Sequence, residues 1–319
     1  MRLELTGITT GGERVLLPLP LSLRFEAGRD IPCDALNCVL PLPEPSPSLC
    51  EVTLRLEGET VFNGIVDRQT EEKSDRGSLL RLECRSKAAL LLDNEVKPYI
   101  YFQLTSGQLY ERYAAPCGIR GYQFPYETKK NFLQVKKGWS NWRVIEEYCR
   151  LVYGASPYVN REQVLLLEPV NRRQHILSNQ LRVGLPYSSV SVQYRNDKLI
   201  SRLYMKTATE AYGYYYGVVI DNPNAQSRRV RRERYYHPDN AVPIYAKSET
   251  QRIIDESNRE SFRVTVALPG FCPADIGDRV AMPDEDLPPL IVSGVSLRMD
   301  GSGILTRMTL IDGRYAETA

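Results

Sequence analysis

The stretch that most constrains this chain lies near its end. Asp275-Ile-Gly-Asp-Arg-Val-Ala281 leads to Leu290-Ile-Val-Ser-Gly-Val-Ser-Leu-Arg-Met299, and then to Ile304-Leu-Thr-Arg-Met-Thr-Leu-Ile311. In the first long run Val295, Leu297 and Met299 alternate with Ser296, Arg298 and Asp300. In the second, Ile304, Met308 and Leu310 alternate with Leu305, Arg307 and Thr309. A period of two sends successive side chains to opposite faces of a strand. Gly301-Ser302-Gly303 separates the runs, and glycine reaches the positive φ angles that a short loop requires. The pattern predicts a closing hairpin over 290–312, entered through the turn Ile276-Gly277-Asp278-Arg279-Val280.

The N-terminal part has the same character. Val15-Leu-Leu17 and Leu21-Ser-Leu-Arg-Phe25 read as strands, with Pro18 and Pro20 forcing an edge or a break between them. Pro41, Pro43, Pro45 and Pro47 make a stiff connector that a central strand could not hold. Val52, Leu54 and Leu56 then alternate with Thr53, Arg55 and Glu57, and Glu57-Gly-Glu59 turns the chain into Val61-Phe-Asn-Gly-Ile-Val66. Gly64 there allows a close backbone approach or a bulge. Leu80, Leu82 and Cys84 begin another alternation, which runs into a short helix with Ser86 as its expected N-cap. Residues 1–95 are expected to form a small barrel or sandwich.

The period becomes helical over 96–156. Ser106 is the expected cap of a helix through Leu109, Tyr110 and Tyr113. Ser140 is the expected cap of a second, carrying Trp142, Ile145, Cys149 and Val152 on one stripe and ending at Gly154. That stripe reads as core, not as a binding face. From 157 the strands return: Val164-Leu-Leu-Leu167, Gln174-His-Ile-Leu177, Val190-Ser-Val-Gln-Tyr194 and a run in which Leu203, Met205 and Thr207 alternate with Arg202, Tyr204 and Lys206. Tyr212, Tyr214 and Tyr216 share one strand face, which reads as a subunit contact or as a half-exposed strand. Ser248-Glu-Thr-Gln251 has the form of a capping box opening a helix to about Asn258, and Phe262-Arg-Val-Thr-Val266 is a strand. The fold class is therefore α+β and mainly β: two small β-barrel or sandwich domains, 1–95 and 157–319, with a helical insert between them.

Several kinds of chemistry lack material. The 319 residues contain 2 His, and neither His175 nor His237 has a neighbouring Ser or Cys in a nucleophile-elbow setting. There is no Walker loop, no Rossmann glycine triplet and no HExxH, so no cofactor and no metal is expected. The 7 Cys, at 33, 38, 50, 84, 117, 149 and 272, form no Cys-x-x-Cys pair, and read as small buried hydrophobes in a reducing compartment. Asp284, Glu285 and Asp286 lie among Pro283, Pro288 and Pro289, as in a polar loop. No apolar run approaches the ~20 residues a bilayer demands, and no signal-peptide core follows Met1, so synthesis in a cytoplasm and no membrane partner are expected. A net charge of +2 implies no polyanion partner for the chain as a whole. The basic run Arg228-Arg-Val-Arg-Arg-Glu-Arg234 suits a solvated strand or loop, but it can also grip phosphates. Two alternatives stay open: a nucleic-acid-binding barrel that uses this run, and a hydrolase whose site assembles from dispersed positions.

Three motifs, in order, carry a resemblance. These are Val61-Phe62-Asn-Gly64-Ile-Val-Asp67, then the Asn141-Trp142…Ile145…Tyr148-Cys149 helix, then Gly277-Asp278-Arg-Val280 with Val292-Ser-Gly294-Val295 and Asp300-Gly301-Ser-Gly303…Thr306-Arg-Met-Thr-Leu310. Together they resemble phage baseplate hub proteins, the late control protein D family and its relatives. The resemblance implies a non-enzymatic homotrimer whose chains each supply two related barrels, giving a pseudo-sixfold ring. Such a ring would join a hexameric tail tube to a trimeric spike and line the channel, with other baseplate or tape-measure proteins as neighbours and no specific nucleic acid. The implied location is the tail baseplate of a virion or phage-like particle, tailocin or contractile injection system, assembled in a bacterial cytoplasm. Because the chain stops at Ala319, just after the hairpin, the spike and any lytic enzyme are expected to be separate proteins. A fused hub–spike protein of type VI secretion is correspondingly disfavoured.

Overall fold

A computed structural model describes residues 2–75, 77–167, 173–210, 212–237 and 246–315. The alternating segments fold as strands. The first β segment supplies β1 (Leu3–Thr9), β2 (Arg14–Leu16), β3 (Ser22–Gly28), β4 (Ile31–Pro41), β5 (Leu49–Leu56), β6 (Glu59–Ser74) and β7 (Gly77–Ser86). After the helical segment come β8 (Gln174–Ile176), β9 (Ser189–Tyr194), β10 (Arg202–Met205), β11 (Val218–Asp221) and β12 (Glu233–Tyr236). Four more follow: β13 (Phe262–Pro269), β14 (Arg279–Ala281), β15 (Leu290–Asp300) and β16 (Gly303–Asp312).

Strands from both β segments belong to one sheet, in the order β9-β13-β16-β15-β3-β4-β7-β6-β5-β1-β2, with β14 beside β15 and β8 beside β14. The join is antiparallel and runs from Gly294↔Gly28 to Met299↔Leu23. One apolar core follows the sheet across the join. It contains Leu5, Phe25, Leu54 and Phe62 from the first segment and Val264, Val292, Leu297 and Leu310 from the second. Phe25 and Phe62 meet edge to face at 6.3 Å, and burial of each ring contributes about 2–3 kcal/mol.

The turns follow local chemistry. Glu57 (φ 50°) and Gly58 (φ 85°) close the β5–β6 hairpin with two positive angles, which suits the right-handed twist of the strands. In the closing hairpin Asp300 pairs with Gly303, so the loop is only Gly301 and Ser302. Gly303 alone of the two glycines takes a positive φ, 118°.

The helical segment has its own core, which runs from Ala88 through Val144, Ile145, Tyr148 and Cys149 to Leu165. It includes α1 (Ala89–Asp93) and α2 (Asn141–Tyr153). Ser140 accepts the Arg143 amide at the start of α2, and Gly154 ends that helix at φ 69°. The expected inward stripe is core. Three caps differ from expectation. Ser86 does not cap α1, because it remains in β7 and accepts the Asp34 amide at 3.0 Å, leaving Ala88 at the helix start. Thr105, not Ser106, opens the helix Ser106–Leu109, through a reciprocal box with Gln108. Ser106 is instead buried, bonded to the hydroxyls of Tyr148 and Tyr153. The helix α3 (Ala246–Glu260) begins before Ser248, which places Ser248 inside it. The tyrosine strand is also shorter than expected, covering Gly213–Tyr215 and pairing with Ala208–Glu210. All seven cysteines are free, Cys33 and Cys50 half-buried and the others buried. Among the described residues no helix is long and apolar enough to cross a membrane.

Candidate assembly interface

The motif residues fall at three places. Phe62 and Gly64 lie on β6, where Gly64 is sandwiched between Val52 of β5 and Ser86 of β7. A Cβ on Gly64 would stand 2.1 Å from the Arg85 carbonyl oxygen, so the backbones can approach this closely only at glycine. Gly277, Asp278 and Gly294 cluster where the two β segments join. Gly277 turns at φ 89°, its amide bonds the Val292 carbonyl, and the Val292 amide bonds that of Asp278. Gly294 ends a bulge that begins at Val292 and faces Gly28 across the join. Gly301 and Gly303 lie apart from these, at the hairpin tip.

Charged side chains are buried at the join, with no local sign of them in the residue pattern. Arg161, in the turn after the strand Pro157–Val159, places its guanidinium 5.5 Å from the Phe25 ring centre and donates to the Ala274 carbonyl at 2.9 Å. Its Nε stands 3.1 Å from Asp275 Oδ1, although that N–H is not aligned for a hydrogen bond. This one arginine therefore touches the helical segment's turn, the first β segment and the second. Asp34 on β4 lies in its field. Burial pushes that carboxyl up to about 7, against the opposing pull of Arg161.

His175 on β8 lies between Asp278 and Cys272. Its Nε2 stands 2.8 Å from Asp278 Oδ2, which also accepts the Asp275 amide. Hydrogen bonds to Asp278 and Cys272 hold the imidazolium up to about 9, despite a contrary effect of burial. Cys, His and Asp in this arrangement have the composition of a nucleophilic triad. However, Cys272 is 3% and Asp278 0% exposed, so the thiol is closed to a substrate. The arrangement braces the β14 turn. His175 and Asp278 are 103 residues apart, and strand pairing, not a motif, brings them together.

The surface is unusual at the ends of the sheet. Among the described residues β2 is bonded only to β1, and β9 only to β13. Leu16 at the end of β2 is 75% exposed, and beyond it Leu19 is 67% exposed and Leu21 is also exposed. Along β9, Val192 and Tyr194 face solvent. Unpaired apolar edges of this kind recruit further strands or chains unless something covers them. Two different edges meeting give a heterologous contact, which closes as a ring or extends as a filament. The basic run lies elsewhere: Arg229, Arg231, Arg232 and Arg234 are exposed on the loop before β12 and on that strand.

No protein-family model matches the sequence, and no curated protein does. Solved structures match it end to end. The tail protein from Neisseria meningitidis MC58 superposes with a TM-score of 0.78 at 15% identity, covering 99% of this chain and 98% of that one. The prophage MuSo2 43 kDa tail protein from Shewanella oneidensis gives 0.80 at 13% identity, covering 99% and 100%. The Escherichia coli c3393 protein is described as a type VI secretion component structurally similar to the T4 tail proteins gp27 and gp5. It gives 0.57 at 11% identity, covering 100% and 78%. The chain thus has the fold of phage tail proteins, a fold shared with a type VI secretion component.

Proposed function

We propose that this chain is a structural component of a phage-type tail, and within it the baseplate hub. Three copies form a pseudo-sixfold ring that joins a hexameric tube to a trimeric spike, with the channel through its centre. The observation that carries this reading is the end-to-end match: two tail proteins superpose on nearly the whole chain, with almost nothing left over on either side. The two unlike, apolar sheet edges support it, because a ring requires heterologous contacts that close on themselves. Tube, spike and neighbouring baseplate proteins are the partners, and the chain acts by contact, without catalysis. Immunogold labelling of released particles tests the placement. Label confined to the baseplate end of the tail supports a hub, and label along the sheath, on the head or on no particle overturns it.

A further inference from the structure

We propose that the open face of the small sheet β11-β10-β12 binds single-stranded nucleic acid without sequence preference. In β10 Leu203 and Met205 are buried on the side where α3 packs. Alternation sends Arg202 and Tyr204 to the other side, opposite Asp221, Val219, Glu233 and Tyr235. Five rings run across this region as a continuous series. Tyr204 and Tyr235 stack at 4.8 Å and 11°, and Tyr216 meets Tyr235 edge-on at 4.9 Å. The Tyr216 hydroxyl stands 2.6 Å from His237 Nε2, and His237 meets Tyr214 at 4.7 Å. Lys206 Nζ lies 3.9 Å from the Tyr214 ring centre. These rings fill no core, since Tyr235 is 60% and Tyr214 50% exposed.

The charge around them is uneven. Residues 202–237 carry seven Lys and Arg against three Asp and Glu, a net +4 in a chain whose total is +2. Arg202 already holds two of those carboxylates, with Nε 2.6 Å from Asp221 and Nη1 3.9 Å from Glu233. Among the described residues no carboxylate pairs with Arg229, Arg231 or Arg232, in the loop that leads into β12, whereas Arg234, opposite Leu203, points to the α3 side. A phosphate chain would complement these guanidinium groups, and unstacked bases would lie on the rings. An acidic peptide would answer the charge alone and leave the rings without a role. A duplex hides its base faces and so cannot use them.

The test is fluorescence anisotropy with the full chain and a labelled 20-nucleotide oligothymidylate, over a salt series, beside a duplex of equal length. Binding should weaken linearly in log–log form with salt, and joint Arg231→Ala and Arg232→Ala should lower the slope by about 1.4. Tyr235→Ala should weaken binding roughly 5- to 100-fold and leave the slope unchanged. Both sites are exposed, and circular dichroism checks that the variants fold. No binding at low salt would overturn the proposal. So would equal affinity for duplex or for polyglutamate with no response to Tyr235→Ala, which would indicate plain charge attraction or an acidic protein partner. The outcome is independent of the hub reading.

Discussion

Arg161 Nε and Asp275 Oδ1 lie 3.1 Å apart at the place where the helical segment meets the two β segments. Both side chains are largely removed from solvent, and burial holds the Asp275 carboxyl above its ordinary range despite the arginine. A buried pair of this kind is costly to break because the surviving partner keeps its charge in a poor solvent. Arg161→Ala should therefore lower stability by about 3–5 kcal/mol in urea unfolding. The double variant Arg161→Ala with Asp275→Asn should cost less in total than the two single changes summed, with a coupling of about 0.5–3 kcal/mol. Strict additivity would mean that the pair is incidental.

The same region makes stability depend on pH. His175 ordinarily titrates near 6.5, and in the fold it titrates near 9. Below about pH 6.5 the imidazolium is present in both states and its bond to Asp278 stabilises the fold in full. Between 6.5 and 9 the unfolded chain gives up the proton first, so that contribution is lost, on the order of 3 kcal/mol. Asp34 acts in the same direction at lower pH, since its raised carboxyl opposes ionisation in the fold from about 4 to 7. Melting temperature should thus fall as pH rises from 6.5 to 9, and Asp278→Asn should flatten that part of the curve. An Asp278→Asn profile parallel to that of the parent would contradict the assignment.

Gly64→Ala should cost more than about 3 kcal/mol, because the Cβ meets the Arg85 carbonyl oxygen at 2.1 Å and its carbon at 2.7 Å. Gly301→Ala is the control: nothing lies within 4 Å of its Cβ, and a change within about 0.5 kcal/mol is expected. Equal effects at the two glycines in a thermal melt would remove the reason given for Gly64.

Leu16→Glu with Leu19→Glu should abolish self-association and leave the melting temperature within about 2 °C, since both side chains are exposed. Sedimentation velocity distinguishes the outcomes. Assembly that persists in this variant would place the interface away from β2.

Much of the fold is legible in the sequence where the signal is local. The alternation in Val52, Leu54 and Leu56 sets the face of β5, and Ser140 with Gly154 sets both ends of α2. Alternation says which side chains share a face, but not which strand lies alongside. The pairing of Met299 with Leu23 therefore has no local signature. Ser106 and Thr105 can both cap a helix, and what separates them is Gln108, which stands three residues after Thr105 and completes the box. Arg161, Asp34 and His175 look like ordinary surface residues in sequence. They become a buried charged group only once strands far apart in the chain are paired. The ring series is hidden for the same reason, since Tyr204 and Tyr235 meet across β10 and β12 and not along one strand.

The most direct measurement is the native mass of the purified chain, combined with electron-microscope images alone and with its tube and spike partners. A hub gives a trimer, three times the 36.3 kDa chain, seen end-on as a ring with six-fold pseudosymmetry about an open centre. A particle that stays strictly monomeric and forms no ring under any of these conditions would contradict the hub reading.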